Sequence, residues 1–260
     1  MSHTFISANW SYHGEDWRSQ RDQLQDYIQA LRSLHPLLEH FSEQGRKVGY
    51  GPMLKQPLVQ DMTDAQWERV LRKDGSFKVL NFWNRHRQQN GRSVCIMPTY
   101  KVPGPRPSDL PFEGSSLAIR ELPDSLLTEP VLTGILEATV TAFRPDHALI
   151  ATSFSVPPTV DKSVLSQDDL MMAVTYSQDF SRGDRIEWKE LLKSLKGGFD
   201  YPVWRFWLKH GKPWPKWGAT VFERWQSEPA DDEGSFLDGT LYTWKKYAPW
   251  KLPNESNWAR

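Results

Sequence analysis

Pro145-Asp146 and, farther along the chain, Glu187-Trp188-Lys189 supply the residue types of a metal-dependent nuclease site. In such a site two carboxylates hold a divalent ion and a lysine positions the attacking water. The chemistry needs the glutamate and lysine on a strand, where residues two apart share a face. Here "RIEWKELLKSL" (Arg185 to Leu195) has helical periodicity, which turns Glu187 and Lys189 roughly 200° apart about the axis. Asp146 then reads as a turn after a helix, and Glu187 and Lys189 as part of a solvated helix face. A metal-dependent nuclease built on Asp146, Glu187 and Lys189 stands as the alternative reading.

A second constellation is aromatic. "WRFWLKHGKPWPKW" holds four of the chain's 13 tryptophans, Trp204, Trp207, Trp214 and Trp217, interleaved with Arg205, Lys209, His210, Lys212 and Lys216. If "PVWRFWLKH" is helical, Trp204 and Trp207 fall on one side and belong to the core. Pro213 and Pro215 forbid regular helix around Trp214 and Trp217, so these rings sit on an irregular loop and serve either packing or partner contact. A sugar-binding module using all four rings as platforms is a third reading. The third constellation is acidic: in "SEPADDEGSFLD", Glu228, Asp231, Asp232, Glu233 and Asp238 occur without a base, beside Pro229 and Gly234. Like charges at this density repel, so the segment is expected as an exposed loop that joins "VFERW" to "LYTW" or meets a basic partner surface. Asp231, Asp232, Glu233, Trp214 and Trp217 are thus the candidate partner-binding residues.

Other chemistry lacks its residues. There is no Walker A loop, no G-x-S-x-G and no H-E-x-x-H, and Gly49-x-Gly51 lacks the third glycine of a dinucleotide turn. The seven histidines are scattered; His35 and His40, five apart, fall on different helical faces. Cys95, the single cysteine, lies in the strand-like "SVCIM" as a packing residue and excludes any internal disulfide or multi-cysteine zinc site. No cofactor, no metal and no catalytic function are expected. The 32 basic and 32 acidic residues cancel, so no global field draws the chain to nucleic acid or to an anionic membrane. The N-terminus has neither a basic nor an apolar leader region, and no stretch has the length and apolarity of a membrane span, so a cytoplasmic location is expected.

The elements that must position these residues follow from periodicity. "HTFISANW" alternates as a strand, and Trp17, Leu24, Ile28, Leu31, Leu34, Leu38 and Phe41 mark a helical face over Glu15 to Gln44 that Pro36 kinks or breaks near His35. Thr63-x-x-Gln66 caps a short helix. "FKVLNFW" and "SVCIMPTY" read as strands joined through Asn90-Gly91, and "SSLAIREL" as a third antiparallel strand. A helix over Glu129 to Phe143, with Thr128 as N-cap, precedes the strands "HALIATSF" and "DLMMAVTY". The expected class is α+β: a mainly antiparallel sheet packed with a long N-terminal helix and further helices. One domain over 1–260 is expected, with a candidate sub-boundary in the proline-rich loop at 101–113.

"FISANWSYHGEDWRSQRDQLQDYIQALRSLHPLLEHFSEQG" resembles the opening of the immunity protein fifty-two family, a strand and charged loop leading to a leucine-spaced helix ended by glycine. "NFWNRHRQQNGRSVCIMP" followed by "SLAIREL" is similar to that family's central hairpin and next strand. The resemblance covers the first half of the chain. It implies an antitoxin that neutralises a cognate nuclease toxin by stoichiometric binding, commonly a restriction-endonuclease-like DNase delivered between bacteria by type VI secretion. Direct nucleic-acid binding is not implied.

Overall fold

A computed structural model describes residues 2–11, 15–43, 50–73, 75–77, 80–86, 94–100, 115–120, 122–154, 203–214 and 227–252. The chain divides into two compact units, Phe5–Leu149 and Met1–Thr4 with Ile150–Arg260. The candidate boundary at 101–113, the hairpin turn Asn90-Gly91, the strand expected at Asp169 to Tyr176 and the helix expected at Arg185 to Leu195 lie outside the described residues.

The unit of residues 5–149 is a sheet backed by two helices. Strands β1 (Ser2–Trp10), β2 (Phe41–Glu43), β3 (Phe82–Asn84), β4 (Cys95–Thr99), β5 (Ser115–Arg120) and β6 (His147–Phe154) stand in the order β2-β3-β4-β5-β1-β6. The described pairings β2/β3, β3/β4, β4/β5 and β5/β1 are all antiparallel. Register separates two faces. Phe82, Ile96, Ile119 and Ile6 form one row and Pro98, Leu117 and Ala8 another, and these isoleucines, Phe82, Leu117 and Ala8 are buried. Met97, Ala118 and Ser7, then Thr99, Ser116 and Asn9, form rows on the opposite face, where side chains alternate outward as the pleat requires.

Helix α1 (Trp17–Arg32) buries Leu24, Tyr27, Ile28 and Leu31, and α4 (Glu129–Phe143) buries Leu132, Ile135, Leu136, Val140 and Phe143. The helices pack on each other, so closely at Gly134 that an added Cβ would lie 2.7 Å from Leu34 Cδ2. Phe143 joins the layers: its ring stacks on Trp10 at 5.0 Å and meets Tyr27 edge-on at 5.1 Å. Burial raises the Tyr27 hydroxyl far above the usual phenol range, and Thr139 Oγ1, 3.1 Å away, is its partner. Two short helices, α2 (Tyr50–Met53) and α3 (Asp64–Arg69), complete the unit. The expected cap of α3 is present: Gln66 Oε1 accepts from the Thr63 backbone N–H at 2.8 Å.

The long N-terminal helix is corrected. Asp16 caps α1 by accepting from Ser19 N–H at 2.8 Å, but the helix has 16 residues and stops at Ser33. His35 is fully extended, Pro36–Leu38 is a single 3-10 turn, and Phe41 already belongs to β2. Proline disfavours helical backbone at the residue before it and has no N–H to continue the ladder, so the periodic leucines pass from one element to the next without a continuous helix. His35 and His40 therefore share no helix, and His35 Nδ1 accepts from the Leu37 N–H at 3.1 Å.

The second unit carries strands β7 (Val203–Lys209), β8 (Asp232–Phe236) and β9 (Gly239–Thr243), in the order β6-β7-β9-β8. β7/β9 and β9/β8 are antiparallel. "VWRFWLK" is a strand and not a helix: four of its seven residues, Val203, Trp204, Phe206 and Trp207, are β-branched or aromatic, and its burial on both faces removes the one-sided pattern a helix would need. Trp204 and Trp207 are core residues, 2% and 0% exposed, on opposite faces of that strand. With their rings buried they are unavailable as sugar platforms.

Candidate functional site

Of the acidic segment, expected as an exposed loop, Asp232–Phe236 forms the strand β8, while Glu228 and Asp231 precede the strand and Asp238 lies in the turn that follows it. Repulsion among its carboxylates is relieved by lysines contributed from other segments. Asp232 meets Lys245 Nζ at 2.7 Å, Glu228 meets Lys246 Nζ at 2.5 Å, and Asp238 meets Lys209 Nζ at 3.3 Å. Asp231 accepts the Lys245 backbone N–H at 2.6 Å and donates its own N–H to Thr243 O at 2.9 Å. The hydrogen bond to Glu228 holds the Lys246 ammonium above the ordinary lysine range. Glu233 is exposed and forms no ion pair among the described residues.

The hairpin that carries these acids turns at Leu237-Asp238, where Phe236 pairs with Gly239. Gly239 is required there, because a Cβ at this position would run into the Trp207 ring and lie 2.7 Å from Leu208 O. Trp207 Nε1 in turn donates to Phe236 O at 2.9 Å, fastening the turn to β7. Leu237 is left-handed, with φ 51°, and 48% exposed.

On one face of β7 and β9 the aromatic side chains form a continuous group. Trp214 stacks on Phe206 at 4.7 Å with an interplanar angle of 16°, and lies 5.3 Å from Tyr242. Trp204 meets Trp250 edge-on at 4.8 Å, and Trp250 remains 43% exposed. Trp214 is half-buried, so it packs over the sheet and shows one part of its ring. Trp217 lies outside the described residues. Glu233 stands directly opposite Tyr242 in the β8/β9 register, which puts its carboxylate beside this aromatic face. Asp231, Asp232, Glu233 and Trp214 are thus gathered on or against one antiparallel three-stranded group with β9 at its centre, although Trp214 is separated from the acids in sequence.

Leu237, Tyr242 and the three lysines are the participants that sequence reasoning missed. Asp238-Gly239, a strong hairpin signal between "GSF" and "TLYTW", was the available clue to this turn. The pairing lysines had no comparable local signal, since Lys209 is remote and Lys245 and Lys246 lie beyond the strand that brings them back.

Asp146 is held as a structural tie. Its Oδ2 accepts from Ser11 Oγ at 2.7 Å and from Ser11 N–H at 3.2 Å, and its own N–H donates to Asn9 O at 2.8 Å. These bonds join the end of β1 to the start of β6. Next to it, Asn9 Nδ2 lies 3.1 Å from His147 Nε2, so the ring accepts there and carries its proton on Nδ1. Burial, opposed weakly by the Asp146 charge, pushes His147 down to about 4. Glu187 and Lys189 lie outside the described residues. Among those described, no group of three or more His, Cys, Asp or Glu could hold a metal ion, and no helix is long and apolar enough to cross a membrane. Cys95 is buried within β4.

No protein-family model and no curated protein matches the chain. Among solved structures, a Pseudomonas aeruginosa T6SS protein is similar, with a TM-score of 0.45 and 10% sequence identity over 94% of this chain and 65% of that one. The chain thus spans less than two thirds of that protein's length. Identity this low transfers no residue role from one chain to the other.

Proposed function

We propose that this protein is an immunity protein, one that binds and neutralises a cognate nuclease toxin of the kind delivered by type VI secretion, by stoichiometric occlusion. Leu237 is the observation that carries the binding part of this reading. A left-handed backbone costs a branched apolar residue about 1–2 kcal/mol, and exposing the side chain returns none of it. Folding alone favours glycine or asparagine at such a turn. A strained, exposed leucine at a hairpin tip is what a contact residue looks like before its partner covers it. The nuclease identity of the partner is supported by the family resemblance of the first half of the chain, and by the carboxylates of β8 as substitutes for the phosphates a nuclease groove receives.

The test is protection and stoichiometry together. Cells that produce a cognate nuclease toxin survive when the protein is co-produced, and the purified pair elutes as one complex that no longer degrades DNA. Death of the co-producing cells, or a mixture that elutes as two separate peaks, removes the reading. Leu237→Asp, which keeps the hairpin exposed and polar, weakens the complex roughly tenfold or more if the tip is a central contact.

A further inference from the structure

The hydrogen-bond pattern of the β8/β9 hairpin decides which backbone groups face away from the sheet. With the turn at Leu237-Asp238, Phe236 and Gly239 form the closing pair, which in a two-residue hairpin exchanges both hydrogen bonds. Alternation then makes Gly234/Leu241 and Asp232/Thr243 the other bonded pairs. The N–H and C=O groups of Glu233 and Ser235 therefore point outward, along the side of β8 that has no neighbouring strand among the described residues. Residues 231–235 are all exposed.

Natural edge strands are ordinarily blunted by proline, by a bulge, by a covering segment or by lysine. β8 has no proline and no lysine, and its centre is Gly234, around which an added Cβ would meet nothing within 4 Å. The sheet face over Gly234 is thus open, and the exposure of residues 231–235 leaves the edge accessible among the described residues. It is also selectively charged. Asp231, Asp232, Glu228 and Asp238 are engaged by lysine groups of this chain, while the Glu233 carboxylate, at the residue whose backbone faces outward, has no such ion pair among the described residues.

We infer that β8 is the docking edge for an extended, basic segment of the partner protein, which adds as a further strand and places an arginine or lysine opposite Glu233. This assignment rests on the proposed binding function and deepens it. Backbone groups of Glu233 and Ser235 supply the main-chain hydrogen bonds of strand addition, and Glu233 supplies the discrimination, since a cation opposite it is favoured and a carboxylate is repelled. Pairing of two copies of this chain is the competing use of such an edge. It brings the acids of both copies to one ladder with no added cation, so the charge pattern favours the basic partner.

The experiment uses the whole protein and a probe peptide of alternating valine and lysine, with the valine–glutamate peptide as control. Amide resonances of Glu233 and Ser235 shift on titration with the lysine peptide and remain in place with the glutamate peptide. Ser235→Pro removes an outward N–H without touching a β8/β9 bond, and Glu233→Lys reverses the charge. Each weakens peptide binding roughly tenfold or more, while the circular dichroism stays that of the parent. Unchanged affinity in both variants overturns the inference, as do shifts confined to other strands. Dimerisation of the parent that Ser235→Pro abolishes assigns the edge to a second copy and overturns it too. A Ser235→Pro protein that still protects cells from the toxin defeats the edge assignment and leaves the immunity reading standing. A parent protein that never protects defeats the immunity reading, whatever the peptide does.

Discussion

At β2 the outer side of a short strand is covered. Ser42 forms a bridge with Leu58, and the Arg85 guanidinium reaches over both segments, donating to Ser42 Oγ at 2.9 Å and Gln56 O at 2.6 Å. At β8 the outer side of a longer strand is left exposed, with its backbone groups at Glu233 and Ser235 facing outward. Both strands end the sheet of their own unit among the described residues, and both carry polar side chains, Ser42 and Glu43 in β2 and Asp232, Glu233 and Ser235 in β8. Polarity alone therefore does not finish an edge; what differs is whether another segment, among the described residues, supplies hydrogen-bonding partners. An edge left open beside a strained, exposed leucine is a different kind of surface from one closed by arginine.

The comparison depends first on β7 holding the hairpin in place. Trp207→Ala removes a ring that is 0% exposed and loses its bond to Phe236 O. The expected cost is about 3–5 kcal/mol, read as a lower midpoint in urea unfolding. Loss of the β8 amide dispersion with it would show that the open edge exists only because β7 supports it. Next comes the closed edge. Arg85→Ala should cost about 1.5–3 kcal/mol by removing charge-assisted bonds to Ser42 and Gln56, and should speed hydrogen exchange of the β2 amides while leaving β8 unchanged. Equal exchange in variant and parent would mean that the clamp does not close β2.

The third prediction concerns acid. His147 is neutral in the fold because burial lowers its folded value to about 4 from the ordinary 6.5. The unfolded chain therefore takes up the proton first as pH falls. Stability from this group is complete above pH 6.5 and is lost progressively down to pH 4, by about 1–2 kcal/mol between pH 7 and pH 5. His147→Gln flattens that part of the profile in denaturant titrations at several pH values; an unaltered slope assigns the acid sensitivity elsewhere. Fourth, Leu237→Gly relieves the left-handed backbone and should stabilise the protein by up to about 1 kcal/mol while weakening partner binding. Stabilisation with binding intact would make the leucine incidental. Smallest is Glu233→Gln, expected to leave the unfolding midpoint within about 0.5 kcal/mol of the parent because the residue is exposed. A larger loss would mean that Glu233 helps to hold the hairpin.

Sequence alone determined much of the first unit. Alternation in "FISANW" and "SSLAIREL", the cap at Thr63, and the apolar spacing of Glu129 to Phe143 each concern residues close in the chain, and local pattern fixes such elements when one face is buried. The break after α1 was legible at Pro36, although not that the chain would leave the helix there for β2. Burial of Trp204 and Trp207 was legible too, while their strand was not: a segment buried on both faces has no period to read. The acids in and around β8 were the least legible, because a run of like charges reads as a solvated loop until lysines from elsewhere are brought beside it. Lys209, Lys245 and Lys246 reach those acids only once β7 and β9 have paired, and the exposed edge of β8 exists only once β9 has taken its other side. Residue types and local periods are properties of neighbours in the chain; which carboxylate keeps its charge uncompensated is decided by long-range Coulomb and hydrogen-bond partners that only the folded sheet assembles.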